Sequence, residues 1–194
     1  MKRWGKLVLW LLLATPAALM VYRLLSGETL AMELYHPSGE MSVRLMILAL
    51  LPGPLVELMG TNTFLRGWLS ARRSLGVAAF GYAALHLGFY LIDMRLISAM
   101  LAELPLPGIW TGWLALAFLI VPAAISSDFA MRALGRRWKL FQKLVYPAVV
   151  LAIVHWLLLD WEWLPALIHL APLLLVWSLR FARRRTSILS RSMA

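Results

Sequence analysis

Three of the four histidines in this 194-residue chain, His86, His155 and His169, lie inside apolar stretches, and the chain has no cysteine. Imidazole binds transition metals in its neutral form, which suits an apolar setting. The missing thiols exclude disulfides, thiolate metal sites, iron–sulfur clusters and a nucleophilic cysteine. His86 stands seven residues before Asp93, His155 five before Asp160, and His169 seven after Glu162. Those acids mark one boundary of the apolar stretches, so at about 1.5 Å per helical residue each imidazole lies about 7–11 Å below it. A single histidine at such a depth is ordinarily a polar group satisfied by a neighbouring helix. Three in one layer point to a centre that needs neutral nitrogen donors. Haem iron with two axial imidazoles fits, because its flat, apolar ring suits a helix bundle. A tri-histidine zinc or copper site is the alternative, but it calls for a wetter pocket with an acid or base in view.

The neighbours of His86 suit a cofactor. Tyr82, Ala83, Phe89 and Tyr90 stand at i−4, i−3, i+3 and i+4 and share its face. Ala83 leaves room beside the ring, and the aromatic side chains are suited to packing on a porphyrin, with ordinary helix packing as the plainer reading. Gly81 and Gly88, on roughly the opposite face, are placed for close helix contact. Glu57 follows Pro52 and Pro54 near the end of an apolar stretch. It reads as the partner of a loop arginine or, alternatively, as a proton carrier in quinone chemistry. Ser126, Ser127 and Asp128 read as the cap of a short helix. No Ser/His/Asp set, phosphate-binding loop or paired-glycine fingerprint is present, so ATP or NAD chemistry of the soluble kind is not expected.

The elements that hold these residues follow from composition. Hydrophobic residues make up 62% of the chain and charged residues 14%, too little charge to coat a water-soluble surface. Apolar runs of about 17–25 residues cross a bilayer as helices. Six appear, at about 7–25, 43–59, 75–92, 109–125, 144–159 and 164–181, the last two joined by a tight hairpin at Asp160-Trp161-Glu162-Trp163. The fold expected is an all-α bundle of six membrane-spanning helices in one domain. Lys2, Arg3, Lys6, Arg66, Arg72, Arg73, Arg132, Arg136, Arg137, Lys139, Lys143, Arg180, Arg183, Arg184, Arg185 and Arg191 fall on one side, which is 16 of the 19 basic residues. The other side carries Arg23, Arg44 and Arg95 with seven of the nine acids: Glu28, Glu33, Glu40, Asp93, Glu103, Asp160 and Glu162. The positive-inside rule puts both termini in the cytoplasm. The net charge of +10 is thereby read as an orientation signal and a contact with lipid head groups, not as a nucleic-acid surface, since no basic patch is interleaved with exposed aromatics. The tryptophans cluster at the span ends as an aromatic belt. The first span has the flavour of a signal peptide, but its apolar run continues past Ala18 through Met20, Val21, Tyr22 and Leu24, so an uncleaved helix is expected.

Two groups of residues carry a resemblance. Arg72-Arg73-Ser74-Leu75-Gly76-Val77 followed by Ala84-Leu85-His86-Leu87 resembles the third helix of the ferric-reductase-like transmembrane domain family. Gly135-Arg136-Arg137-Trp138, then Leu144-Val145-Tyr146 and Val154-His155-Trp156, resembles its fifth-helix motif. The loop His36-Pro37-Ser38-Gly39 is similar to the His-x-Thr-Gly element of the bacterial YedZ/MsrQ haem-binding branch. The resemblance implies a haem b held by His86 and His155 in a bacterial inner-membrane electron-transfer subunit. It implies quinol or a cytosolic flavin reductase as donor and a periplasmic redox protein as acceptor. In that branch the acceptor is a molybdenum enzyme that repairs methionine sulfoxide in proteins, and some members also carry FMN. The chain departs from the family at Gln142, where an earlier fifth-helix histidine is usual, so one haem is expected. It departs again at His169, which stands as an alternative iron ligand, a propionate partner or a tuning residue. Arg136 and Arg137 suit a flavin phosphate or an acidic donor, and the acids of the other side suit a basic patch on the acceptor. The other readings are a ferric reductase, another quinol-linked cytochrome b, and a non-redox membrane scaffold or transporter. No catalytic residue is assigned.

Overall fold

A computed structural model describes residues 3–159 and 163–192, with side chains as far as residue 185. The tight hairpin expected at 160–163, the acids Asp160 and Glu162, Lys2 and the side chain of Arg191 therefore lie outside the described residues, wholly or in part. The helices in chain order are α1 (Arg3–Leu25), α2 (Tyr35–Leu50), α3 (Pro52–Met59), α4 (Thr63–Met94), α5 (Ile97–Glu103), α6 (Pro107–Ala124), α7 (Asp128–Leu134), α8 (Arg136–Gln142), α9 (Val145–Leu159) and α10 (Trp163–Ser192). A 3-10 turn, Ala31–Leu34, leads into α2. No strand occurs among the described residues. Six helical stretches are long and apolar enough to cross a membrane: Arg3–Leu25, Ala31–Met59, Thr63–Met94, Pro107–Ala124, Arg136–Leu159 and Trp163–Arg185. The chain is an all-α, multi-pass membrane protein.

Three spans differ from their expected form. The second begins well before Val43, because His36-Pro37-Ser38-Gly39 is the first part of α2 and not a loop. It is also broken: Pro52 opens α3, where the missing N–H is tolerated at the first turn. Gly60, at φ +78°, then ends α3 in a conformation that an L side chain resists. The third span is the end of a longer helix. Asn62 caps it by accepting from the Leu65 N–H at 2.8 Å, so Arg66, Arg72 and Arg73 lie on α4 and not in a loop. The sixth continues to Ser192. Ser127 caps α7 by accepting from the Ala130 N–H at 3.0 Å, as expected of that serine–aspartate run.

The bundle is built of two close helix pairs, α2 along α4 and α6 along α9, with α10 against α2, α3 and α9. Lipid offers no hydrophobic drive between helices, so small side chains and interhelical hydrogen bonds decide which faces meet. Ala79 of α4 and Ala148 of α9 are fully buried, and the Ser42 hydroxyl of α2 donates to the Ala79 carbonyl at 2.9 Å. Val43, Met46, Ile47, Val149, Ile153 and Leu173 fill the core around them. α1 leans chiefly on α4 and buries no residue of its own. Beside Pro16, which has no N–H to give, the Tyr82 hydroxyl of α4 donates to the Leu13 carbonyl at 2.8 Å and accepts from the Ala17 N–H at 3.0 Å.

Polar contacts gather at two levels. Arg73 of α4 pairs with Asp128 of α7, and Glu57 of α3 pairs with Arg180 of α10, at the basic face. At the opposite face Tyr35 donates to Asp93 at 2.8 Å and Tyr90 to Glu103 at 3.0 Å.

Candidate functional site

His86 and His155 meet between the two helix pairs. Their ring centres are 5.9 Å apart and their planes 89° from parallel. Each ring is aimed by the partner helix of its own pair. The His86 Nδ1–H donates to the Tyr35 carbonyl at the start of α2, at 2.9 Å. The Ser38 hydroxyl oxygen lies 3.4 Å from the same nitrogen. The His155 Nδ1–H donates to the Gly108 carbonyl at the start of α6, at 2.5 Å. A carbonyl can only accept, so both Nδ1 atoms carry the proton and both Nε2 atoms keep a lone pair. This is how a metal-binding histidine is oriented: one nitrogen is held by the protein and the other left to ligate.

Glycines make room for both rings. A methyl group on Gly112 of α6 would lie 2.6 Å from the His155 ring, and one on Gly39 of α2 would lie 3.2 Å from the His86 ring. A side chain at either position would occupy the space the imidazole takes. Gly81 and Gly88, expected to bring helices close, have nothing within 4 Å of such a methyl. Gly81 lines the open cleft between α1 and α4 without close contact, whereas Gly39, Gly108 and Gly112 sit where another helix comes close. Tyr35 and these three glycines are the site residues that reasoning along the sequence missed. Only the similarity of His36–Gly39 to a family element hinted at them.

Two imidazoles that meet from separate helix pairs, each with its Nδ1–H on a carbonyl, suit a centre that brings its other ligands with it. A metal held by one nitrogen of each ring, with bonds of about 2 Å, puts the ring centres on the order of 6 Å apart. The observed separation agrees with this. α4 and α9 scarcely approach each other along their backbones, so the histidines face across a seam rather than a packed interface. The residues present thus fit a haem. Among the described residues no three His, Asp or Glu side chains are placed to hold a metal ion.

His169 belongs to a different cluster. Its Nδ1–H donates to the Pro165 carbonyl at 2.6 Å, and its Nε2 accepts from Arg44 Nε at 2.8 Å, so both nitrogens are engaged. Arg44 also pairs with Glu40 at 2.6 Å. The Trp156 ring packs against both His169 and His36, with centres 5.6 Å and 5.4 Å away, and His36 Nε2 lies 3.9 Å from Glu40. Phe89 is buried on α4 beside His86, as its position suggested. Tyr82 is buried too, but its hydroxyl is committed to α1. Its expected role against a macrocycle therefore becomes, at that end of the ring, a role in docking α1. Arg136 and Arg137 are exposed in the first turn of α8 at the basic face. Gln142 donates from Nε2 to the Pro122 carbonyl at 3.1 Å and so finishes the end of α6. Glu57 pairs with Arg180 and Arg184 of the last helix, not with a loop arginine.

Comparison with known proteins bears on the same segments. Residues 38–153 match the family described as ferric reductase like transmembrane component. The chain is similar to proteins named "Protein-methionine-sulfoxide reductase heme-binding subunit MsrQ". It is 35% identical over 168 residues to that of Brucella ovis, 34% to that of Brucella anthropi and 35% to that of Brucella suis. In each case the match covers 82% of this chain and 74% of the relative.

Proposed function

The chain belongs to the ferric-reductase-like transmembrane family, and we propose that it is a haem b-binding electron-transfer subunit of a bacterial inner membrane. In this reading His86 and His155 are the two axial ligands of one haem, and His169 is a neighbour and not a ligand. The observation that supports it is the pair of imidazoles 5.9 Å apart, each with its Nδ1–H on a carbonyl, which leaves the Nε2 lone pair for a metal. The relatives, named as haem-binding subunits of a protein-methionine-sulfoxide reductase, support it independently. Haem iron, when bound, takes up and gives back single electrons.

The chain's own residues hold the site steady around that chemistry. Tyr35 and Gly108 fix the tautomer and the aim of the imidazoles, which keeps the nitrogens basic. Phe89, three residues after His86, and Trp156, next to His155, are both buried. Gln142 supports a single haem, since its amide serves the Pro122 carbonyl. The donor is a quinol or a flavin enzyme at the basic face, where Arg136 and Arg137 suit a flavin phosphate such as that of FMN. The acceptor is a periplasmic redox protein, with a molybdenum protein-methionine-sulfoxide reductase as the first choice.

The test is the visible spectrum of the purified protein with haem quantified per chain. One haem and a low-spin signal are expected. His86→Ala and His155→Ala are each expected to remove or convert that signal, and His36→Ala and His169→Ala to retain it. A protein that purifies without haem, or an unchanged spectrum in either of the first two variants, would overturn the pairing.

A further inference from the structure

At the basic face the end of α3 meets the last turns of the sixth span. Arg180, Arg183 and Arg184 stand at i, i+3 and i+4 and share one side of α10. Arg180 grips both oxygens of Glu57, through Nε and Nη2, at 2.6 Å each. Arg184 Nη2 donates to the same carboxylate at 2.8 Å. Arg183 turns to the main chain, donating to the Glu57 carbonyl at 3.2 Å and to the Leu58 carbonyl. These residues line a cleft of about 340 Å³. Among the described residues that line it, one carboxylate stands with three guanidinium groups. We propose that this cleft binds a phosphate-bearing anion, such as the head group of an acidic phospholipid in the leaflet at the basic face.

Three observations carry the assignment. First, the arginines are already held in place: Glu57 and the α3 carbonyls fix their stems, so little side-chain freedom is lost when a ligand arrives. Second, guanidinium is the group that matches phosphate oxygens in geometry as well as charge. Third, the cleft lies where the apolar run of the sixth span gives way to the arginines of 180–185. The neighbours of its lining residues in sequence, Met59 (71%), Leu179 (52%) and Phe181 (57%), are apolar and exposed. Such side chains suit the acyl chains of a lipid and offer nothing to a soluble anion. Arg185 over the Phe181 ring, 4.5 Å from its centre, joins the charged part to the apolar part.

The experiment uses the full chain in neutral detergent and measures lipid retention by native mass spectrometry, with phosphatidylglycerol against phosphatidylcholine. Phosphatidylglycerol is expected to be retained selectively. Each arginine near an anionic lipid contributes about fivefold, so Arg183→Gln with Arg184→Gln is expected to lower retention about 25-fold. Arg66→Gln with Arg72→Gln removes the same charge elsewhere on the face and is expected to change retention less than about twofold. Glu57→Gln removes the competing negative charge and is expected to raise retention, a direction that misfolding does not produce. Inorganic phosphate as competitor separates the sources. Displacement of the lipid supports a site for phosphate in general, and no displacement supports a site for the lipid. Equal retention of the two lipids, or a Arg183/Arg184 variant that retains phosphatidylglycerol like the parent chain, would overturn the proposal.

Discussion

A methyl group is enough to test how the candidate centre is built. Gly112→Ala puts a carbon 2.6 Å from the His155 ring, a distance no Cβ tolerates, and the nearest atoms belong to the ring itself. The imidazole has to swing away from the Gly108 carbonyl, so loss or conversion of the low-spin haem signal is expected although both histidines remain. Overpacking of this kind destabilises by about 1–3 kcal/mol, so the thermal midpoint falls as well. Gly108→Ala is the informative contrast. Its added carbon meets the Leu159 side chain, which has other rotamers to adopt, and a smaller spectral change is expected. Normal absorption in Gly112→Ala would show that the close approach does not position His155. The histidines were legible along the chain because residue type and depth in an apolar run suffice to mark them. The glycines were not, because what a glycine does depends on which helix comes near it. Gly81 and Gly88 look the part in sequence, and the approach happens at Gly39 and Gly112 instead.

Among the elements, hydropathy located all six spans, but it stopped where polar residues began. The run from Val43 reads as the second span, whereas His36, Pro37, Ser38, Gly39 and Glu40 read as a loop. Their polarity is accommodated by partners from other helices and by the helix start itself. Ser38 donates to the Leu34 carbonyl at 2.5 Å, and Gly39 faces His86. The extra turns of α2 thus bring Tyr35 to His86, and a chain reading without partners cannot see why they are helical. The join between α1 and α4 is thinner. It rests on the Tyr82 hydroxyl and on contacts lining a cleft of about 610 Å³. Tyr82→Phe removes both hydrogen bonds and keeps the ring. A loss of about 0.5–1.5 kcal/mol in stability is expected, with the haem spectrum retained. Loss of the spectrum together with the tyrosine hydroxyl would instead place Tyr82 at the cofactor.

For the molecule as a whole, the two levels of charge argue for one orientation. Arg73 with Asp128 and Glu57 with Arg180 bind the basic face together, and Tyr35 with Asp93 and Tyr90 with Glu103 bind the other. By the positive-inside rule the basic face is expected in the cytoplasm. Reporter fusions after Arg185 are expected to be active in the cytoplasm, and fusions within Gly27–Glu40 in the periplasm. The reverse pattern would refute the orientation and with it the side on which the acceptor docks. The tyrosine that completes α1 also has a consequence for biogenesis. α1 leaves the ribosome before α4, yet the hydroxyl that bridges Leu13 and Ala17 belongs to a residue 65 positions beyond Ala17. During that interval α1 crosses the bilayer without its partner, which its lack of any buried residue allows. Docking waits for translation: nascent chains that stop short of Tyr82 are expected to leave α1 open to photo-crosslinking by lipid on every face, and chains that have inserted α4 to shield one.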